Sequence, residues 1–161
     1  ELGLRWLREH IGEHGGDPAR IYLSGTSAGA SLAAAVTLRQ WVAEPGLPED
    51  LVKGLVLFSG RYDRTNEDRE NDRAAATRYV QNLTSEIERT PPHTIVVNTD
   101  DESAFPDVPE NAGRITAAIQ ARGGSVERLV QPQADHFSSS RSLAEGNGAV
   151  FEAIRKMMQL S

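Results

Sequence analysis

The 161-residue sequence contains no cysteine, so it offers neither disulfide bonds nor thiolate ligands for a metal. It also has no apolar run near the ~20 residues that cross a bilayer, and we expect no membrane span. Basic residues number 17 against 23 acidic ones. Because nucleic-acid binding needs clustered Lys and Arg, we expect no nucleic-acid partner. The lack of cysteine fits a cytoplasmic protein, although a targeting segment ahead of Glu1 is compatible with the sequence.

The sequence does have the composition of one globular domain, with 39% apolar and 25% charged residues. Apolar runs that predict strands alternate with patterns that predict helices, which favours a parallel sheet covered by helices on both faces. The predicted strands are the run from Ile21, then 52–59, 94–98 and, as an edge strand, 126–130. The predicted helices contain Leu4 to Ile11, Ala28 to about Val42, Ile115 to Ile119 and Val150 to Met157.

The first strand runs into Gly25-Thr26-Ser27-Ala28-Gly29, which is followed by the alanine-rich helix. This pattern is typical of a tight strand-to-helix turn that presents a serine in a strained backbone conformation. Glycine at positions 25 and 29 removes side chains that would clash across such a turn. The pattern predicts Ser27 as a nucleophile and the Ala28 N–H, at the helix N-terminus, as an oxyanion donor.

A serine nucleophile needs a histidine to take its proton and a carboxylate to orient the imidazole. His136 follows the fourth predicted strand and Asp101 follows the third, so we predict Ser27, Asp101 and His136 as a catalytic triad. Asp63, Asp100 and Glu102 are the alternatives for the acid. The other histidines are interpreted as structural: His10, His14 and His93. His14-Gly15-Gly16 lies too close to Ser27 for an oxyanion loop and is interpreted as a helix stop.

A metal centre is the competing interpretation of the acidic cluster around His136. Its members lack the spacing of a ligand set, so we expect neither a metal nor a cofactor. The members are Asp100, Asp101, Glu102, Asp135 and His136.

Residues 60–92 interrupt the alternation of strands and helices with a polar stretch of mixed charge. Ala76, Val80, Leu83 and Ile87 give this stretch one apolar helical stripe. We expect a small cap-like excursion here that covers the catalytic face.

The chain resembles the C-terminal part of an α/β hydrolase, similar to kynurenine formamidases (arylformamidases) and to hormone-sensitive-lipase-type carboxylesterases. The resemblance covers nearly all 161 residues as part of a single domain, and it implies a three-layer α/β/α fold. It implies the same triad and Ala28 as oxyanion donor. The matching pieces are residues 16–21, 25–30 and 59–63, Asp101 before Phe105, and Asp135-His136-Phe137.

By this likeness the protein is expected to be a serine hydrolase that cleaves a carboxylic ester or an N-formyl or aryl amide through an acyl-enzyme. The strings Gly-x-Ser-Ala-Gly-Ala and Asp-His-Phe favour the formamidases over the carboxylesterases. The alternative is a non-catalytic protein that binds small molecules on the same scaffold.

Members of these families begin with further strands and a Gly-rich loop that carries other oxyanion donors. Four strands without such neighbours would leave a sheet edge exposed. We therefore expect an N-terminal fragment or partner chain to complete the sheet and the oxyanion hole, and expect the 161 residues alone to be nearly inactive.

Overall fold

The computed structural model describes residues 1–39, 46–63 and 82–160. Four strands form one sheet in the order in which they occur along the chain, and each neighbouring pair is parallel. They are β1 (Ile21–Thr26), β2 (Val52–Phe58), β3 (His93–Asp101) and β4 (Val126–Asp135).

The sheet confirms the four predicted strands. β2 and β3 lie in its centre and are buried almost throughout, since their continuous apolar runs have helices over both faces. β4 is largely exposed and lies at the edge of the described sheet, as its mixed polarity predicts.

Helices cover both faces of the sheet, which makes the predicted three-layer α/β/α arrangement. Alternate side chains of one strand point to opposite faces. Leu55 and Leu57 of β2 therefore pack with the second and third helices, whereas Val56 and Phe58 pack with the last one. The helices are α1 (Leu2–His10), α2 (Ala28–Leu38), α3 (Val108–Ala121), α4 (Arg141–Glu145) and α5 (Gly148–Met157).

α1 packs against the beginnings of β1 and β2 through Leu4, Ile21 and Val52. A 3₁₀ turn over Ile11–His14 follows α1 and ends at Gly15, whose φ of 81° is left-handed. The predicted helix stop is therefore confirmed. None of the helices described is long and apolar enough to cross a membrane.

Several boundaries differ from the sequence prediction. β3 and β4 run on to Asp101 and Asp135, beyond the predicted 94–98 and 126–130. α2 ends at Leu38 rather than near Val42, because the backbone at Arg39 is already extended; residues 40–45 lie outside the described ranges. Leu83 and Ile87 are buried in the α2 and α3 layer, and within residues 82–92 of the described chain only Leu83–Ser85 is helical, as one 3₁₀ turn. Ala76, Val80 and the charged stretch 64–73 lie outside the described residues, so the cap-like excursion stays a prediction.

Candidate active site

Ser27 lies in the turn between β1 and α2, with φ 54° and ψ −120°. Positive φ is a strained conformation for serine, so the surrounding structure must hold it. Its N–H donates to the Phe58 carbonyl of β2 at 2.8 Å. A Cβ at Gly25 would overlap the Gly29 carbonyl, so the turn requires glycine at 25. At Gly29 a Cβ would meet nothing within 4 Å in the described part of the chain.

His136 begins a 3₁₀ turn, His136–Ser138, directly after β4. Its Nε2 lies 3.0 Å from Ser27 Oγ, and its Nδ1 lies 2.8 Å from Oε2 of Glu102. A carboxylate only accepts hydrogen bonds, so Nδ1 must carry the proton. Nε2 is then free to accept the serine proton, which is the tautomer that a general base requires.

Glu102, rather than Asp101, occupies the position of the acid. Glu102 is 6% exposed and bonded to His136, whereas the Asp101 side chain is exposed and accepts the Ser103 N–H at 3.0 Å. The prediction that Asp101 holds the imidazole is therefore wrong. Ser27 and His136 are brought together as predicted.

A register shift at the end of β3 accounts for the difference. The pairing of β3 with β4 is regular through Thr99 and then shifts between Thr99 and Asp101, which pairs with Asp135. Because β3 continues through Asp101, Glu102 is the first residue beyond the strand. Its longer side chain turns back over the strand end and accepts the Thr99 N–H at 3.0 Å.

The Glu102 carboxylate is held by three donors. Oε1 accepts from Ser59 Oγ at 2.5 Å and from the Thr99 N–H, and Oε2 faces His136. Burial raises the pKa of Glu102, but the hydrogen bonds from Ser59, Thr99 and His136 together outweigh burial and lower it. Glu102 is therefore ionised at neutral pH and suited to stabilise an imidazolium.

Ser59 is a functional candidate that sequence reasoning did not single out. It follows β2, is 1% exposed, and has φ 47°, again left-handed. Its N–H donates to the Val97 carbonyl of β3 at 2.7 Å. The sequence did contain a signal for Ser59, because it directly follows a buried strand, as the triad residues also follow strands.

Asp63, the other alternative for the acid, has a different task. Its carboxylate accepts from the N–H and hydroxyl of Thr84, at 3.1 and 2.7 Å. It therefore ties residue 63 to the 3₁₀ turn Leu83–Ser85 rather than orienting His136.

Two exposed aspartates fix the loop that carries His136. Asp100 accepts the N–H groups of Gln133 and Ala134, which lower its pKa. Asp135 accepts from the hydroxyl and N–H of Ser138, and these bonds lower its pKa. Both carboxylates are thus ionised at neutral pH and tie the end of β4 in place.

Two neighbouring aromatic rings lie beside the His136 imidazole. The Phe105 ring is 4.2 Å from it between centroids, and the Phe137 ring is 5.5 Å away in an edge contact. Phe105 is half-buried, whereas Phe137 is 79% exposed.

Ala28 is the first residue of α2 and is exposed. The first N–H groups of a helix lack intrahelical acceptors, so the Ala28 N–H is available beside Ser27. The placement is the one predicted for an oxyanion donor.

The remaining histidines lie at the end of α1, in the 3₁₀ turn after it and at the start of β3. His10 Nδ1 is 3.0 Å from the Trp6 carbonyl and its ring stacks on Trp6, which also contacts His14. His93 is exposed at the start of β3. Within the described ranges, no three His, Asp or Glu side chains are grouped as a metal site needs.

Comparison with known proteins gives a family and several esterases. The sequence model of the carboxylesterase family matches residues 1–105 of this chain. A probable isoprenylcysteine alpha-carbonyl methylesterase of Arabidopsis thaliana is 29% identical over 156 residues, covering 80% of this chain and 32% of that protein. The esterase LipQ of Mycobacterium tuberculosis is 39% identical over 67 residues, covering 39% of this chain and 16% of that protein. The chain thus spans about a third or less of these relatives.

Solved structures share the fold at low identity. An acetyl ester-xyloside bifunctional hydrolase from Caldicellulosiruptor lactoaceticus matches with a TM-score of 0.71 and 19% identity, covering 99% of this chain and 64% of that one. Carboxyl esterase 2 of Tuber melanosporum matches with a TM-score of 0.66 and 20% identity, covering 98% of this chain and 60% of that one.

Proposed function

The chain belongs to the carboxylesterase family, and from that premise we propose that it hydrolyses carboxylic esters with Ser27 as nucleophile. His136 acts as general base and acid, and Glu102 holds the imidazole and stabilises its charged form. The observation that carries the proposal is the continuous hydrogen-bonded line from Ser27 through His136 to Glu102. This replaces the triad predicted with Asp101.

In the first half of the reaction, His136 Nε2 takes the Ser27 proton while Oγ attacks the ester carbonyl carbon. The carbonyl oxygen becomes negative and accepts a hydrogen bond from the Ala28 N–H. The tetrahedral intermediate then collapses, Nε2 gives the proton to the departing alcohol oxygen, and an acyl-serine remains.

In the second half, water replaces the alcohol. His136 takes a proton from water, the resulting hydroxide oxygen attacks the acyl carbon, and the proton returns to Ser27 Oγ as the carboxylic acid leaves. The chain's own residues supply every proton transfer in this sequence.

A fluorophosphonate probe tests the nucleophile. In the full-length protein it is expected to label Ser27, because the phosphonyl group imitates the tetrahedral intermediate at an activated serine. Ser24→Ala, which alters an exposed serine of β1, serves as the matched control and should label normally. Labelling that persists in Ser27→Ala, or a folded protein that is never labelled, would contradict the proposal.

The second function weighed from the sequence, non-catalytic binding on this scaffold, has no observation in its favour. Such a protein would not need the serine, histidine and acid within hydrogen-bonding distance. Binding of esters without turnover, in a protein whose Ser27 ignores the probe, would support it instead.

The choice between ester and formamide concerns the same site. The esterases among the relatives motivate the ester, whereas the formamidase side of the resemblance stays a prediction from two short strings. Measuring N-formylkynurenine beside p-nitrophenyl acetate decides between them. We expect kcat/KM to favour the ester, and a preference for the formamide would reverse the assignment.

We propose in addition that further polypeptide completes the sheet and the oxyanion hole. β1 is a terminal strand of the described sheet, and an apolar cavity of about 530 Å³ opens beside it, lined by Tyr22, Val56, Phe151 and Ile154 among others. An unpaired strand edge next to apolar surface favours association with another segment.

The expected segment brings a strand for β1 and a Gly-rich loop with a second oxyanion donor. Because one donor contributes about 10²–10³ in rate, residues 1–161 alone should be nearly inactive beside the full-length protein. Comparing their esterase activity and aggregation tests this. A soluble short chain with full activity would contradict the proposal.

A further inference from the structure

His136 fixes where the alcohol part of an ester must lie. The Nε2 atom that faces Ser27 Oγ at 3.0 Å is the atom that protonates the leaving oxygen. Whatever is attached to that oxygen therefore lies beside the imidazole ring.

Two aromatic rings occupy that neighbourhood. Phe105 and Phe137 are 4.2 and 5.5 Å from the imidazole, and 6.4 Å from each other with planes at 65°. These separations lie in or close to the range in which aromatic rings interact favourably. Phe137 nevertheless leaves 79% of its surface exposed, so most of its ring is open to a ligand.

Hydrogen bonds fix the backbone that carries the exposed ring. The Phe137 N–H donates to Asp135 Oδ1 at 3.1 Å, and the Ser138 N–H and hydroxyl donate to the same oxygen at 2.9 and 2.7 Å. Binding of a ligand over Phe137 thus costs little conformational entropy in the backbone beneath it. A ring exposed on a fixed turn beside the reacting atoms is suited to bind an apolar group.

Negative charge surrounds the same strand ends. Asp100, Asp101 and Asp135 are all exposed, and Asp101 lies opposite Asp135 in the sheet register. An anionic leaving group would be repelled here, and a neutral or cationic one would not.

We propose that Phe105 and Phe137 form a platform for the leaving alcohol, and that the protein therefore prefers esters of apolar or aromatic alcohols that carry no negative charge. The platform rests on the proposed esterase function and adds the class of alcohol to it.

The platform is tested with benzyl acetate and methyl acetate, which share the acyl group and have leaving alcohols of similar acidity. In the full-length protein, kcat/KM is expected to favour the benzyl ester. Phe137→Ala should reduce the benzyl-to-methyl ratio about three- to tenfold, the scale of one aromatic contact. Trp6→Ala, which removes a half-exposed ring from α1, is the matched control and should leave the ratio unchanged.

The charge preference is tested with methyl 4-acetoxybenzoate and 4-acetoxybenzoate, which differ by one negative charge on the leaving phenol. The neutral ester should be favoured, and the preference should shrink at high salt because salt screens the exposed carboxylates. A preference for the anion would overturn this part.

The outcomes separate the two proposals. If both acetates are hydrolysed and Phe137→Ala keeps the wild-type ratio, the platform is wrong and the esterase stands. If Ser27 is not labelled by fluorophosphonate and neither acetate is hydrolysed, the esterase function is wrong and the platform falls with it.

Discussion

His136 and Glu102 lie buried between the ends of β3 and β4, whereas Ser27 and Ala28 lie at the end of β1, a terminal strand of the described sheet. In the first region the carboxylate has three donors and the loop backbone is fastened by Asp100 and Asp135. In the second region Ser27 is half-buried and Ala28 exposed. The residues proposed to move protons are thus enclosed within this chain, while the side proposed to receive the substrate carbonyl is open.

The difference separates two requirements of the proposed reaction. Orienting a histidine and a carboxylate needs buried, fully bonded partners, which two neighbouring strand ends supply. Stabilising an oxyanion needs several donors around one point, and this chain offers the Ala28 N–H. Substitutions in the two regions should therefore have different effects.

The largest effect is expected at Ser27 itself. Ser27→Ala removes the nucleophile, and kcat for ester hydrolysis should fall about 10⁶-fold, as it does when a serine hydrolase loses its serine. Ser24→Ala on the same strand should retain activity. A residual rate in Ser27→Ala within a hundredfold of wild type would mean that another group attacks the ester.

The next effect distinguishes two neighbouring carboxylates. Glu102→Gln keeps the shape but lets the amide favour the wrong imidazole tautomer, so kcat should fall about 10⁴-fold. Asp101→Asn should change kcat less than about twofold, since its side chain is exposed. Steady-state kinetics of the pair decide the matter, and the reverse order would restore the acid predicted from sequence.

That pair also shows where sequence reasoning reached its limit. The strands followed from short apolar runs such as 55–58, whose length favours a buried strand, and Ser27 followed from the glycine-bracketed turn between a strand and a helix. Asp100, Asp101 and Glu102 are three consecutive carboxylates, and the choice among them depends on a register shift between β3 and β4. Such a shift is set by strand pairing, which the sequence of one strand does not encode.

Ser59→Ala should have a smaller effect, on stability, and it tests the buried side of the site. It removes one donor from a buried carboxylate, which is expected to cost about 2 kcal/mol of stability. Its hydrogen bond lowers the pKa of Glu102 below the ordinary 4.5, so the stabilisation is present above pH 4.5 and lost as pH falls below it.

The measurement for Ser59 is the difference in Tm between wild type and Ser59→Ala across pH. The difference should be constant above pH 4.5 and should shrink at lower pH as Glu102 protonates. Ser103→Ala, an exposed serine next to Glu102, is the control and should match wild type throughout. A difference that grows as pH falls would contradict the assigned role.

The smallest effect concerns backbone strain at the open side of the site. Ser27 has φ 54°, which glycine adopts freely and alanine does not. Ser27→Gly should therefore be more stable than Ser27→Ala by about 1 kcal/mol, although glycine gains entropy in the unfolded chain. Urea unfolding of the two inactive variants measures this, and a more stable alanine variant would mean that the turn relaxes when the hydroxyl is removed.

The hydrogen bonds from the Ser27 and Ser59 N–H groups to Phe58 and Val97 extend the strand ladders one rung past their ends. Neither amide proton can exchange with solvent until the two strands that its hydrogen bond joins have separated. Both loop amides should then exchange as slowly as the strand amides before them. The loops at Ser27 and Ser59 are thus each fastened to the neighbouring strand rather than to their own, so slow exchange at either amide reports on the pairing of β1 with β2 or of β2 with β3.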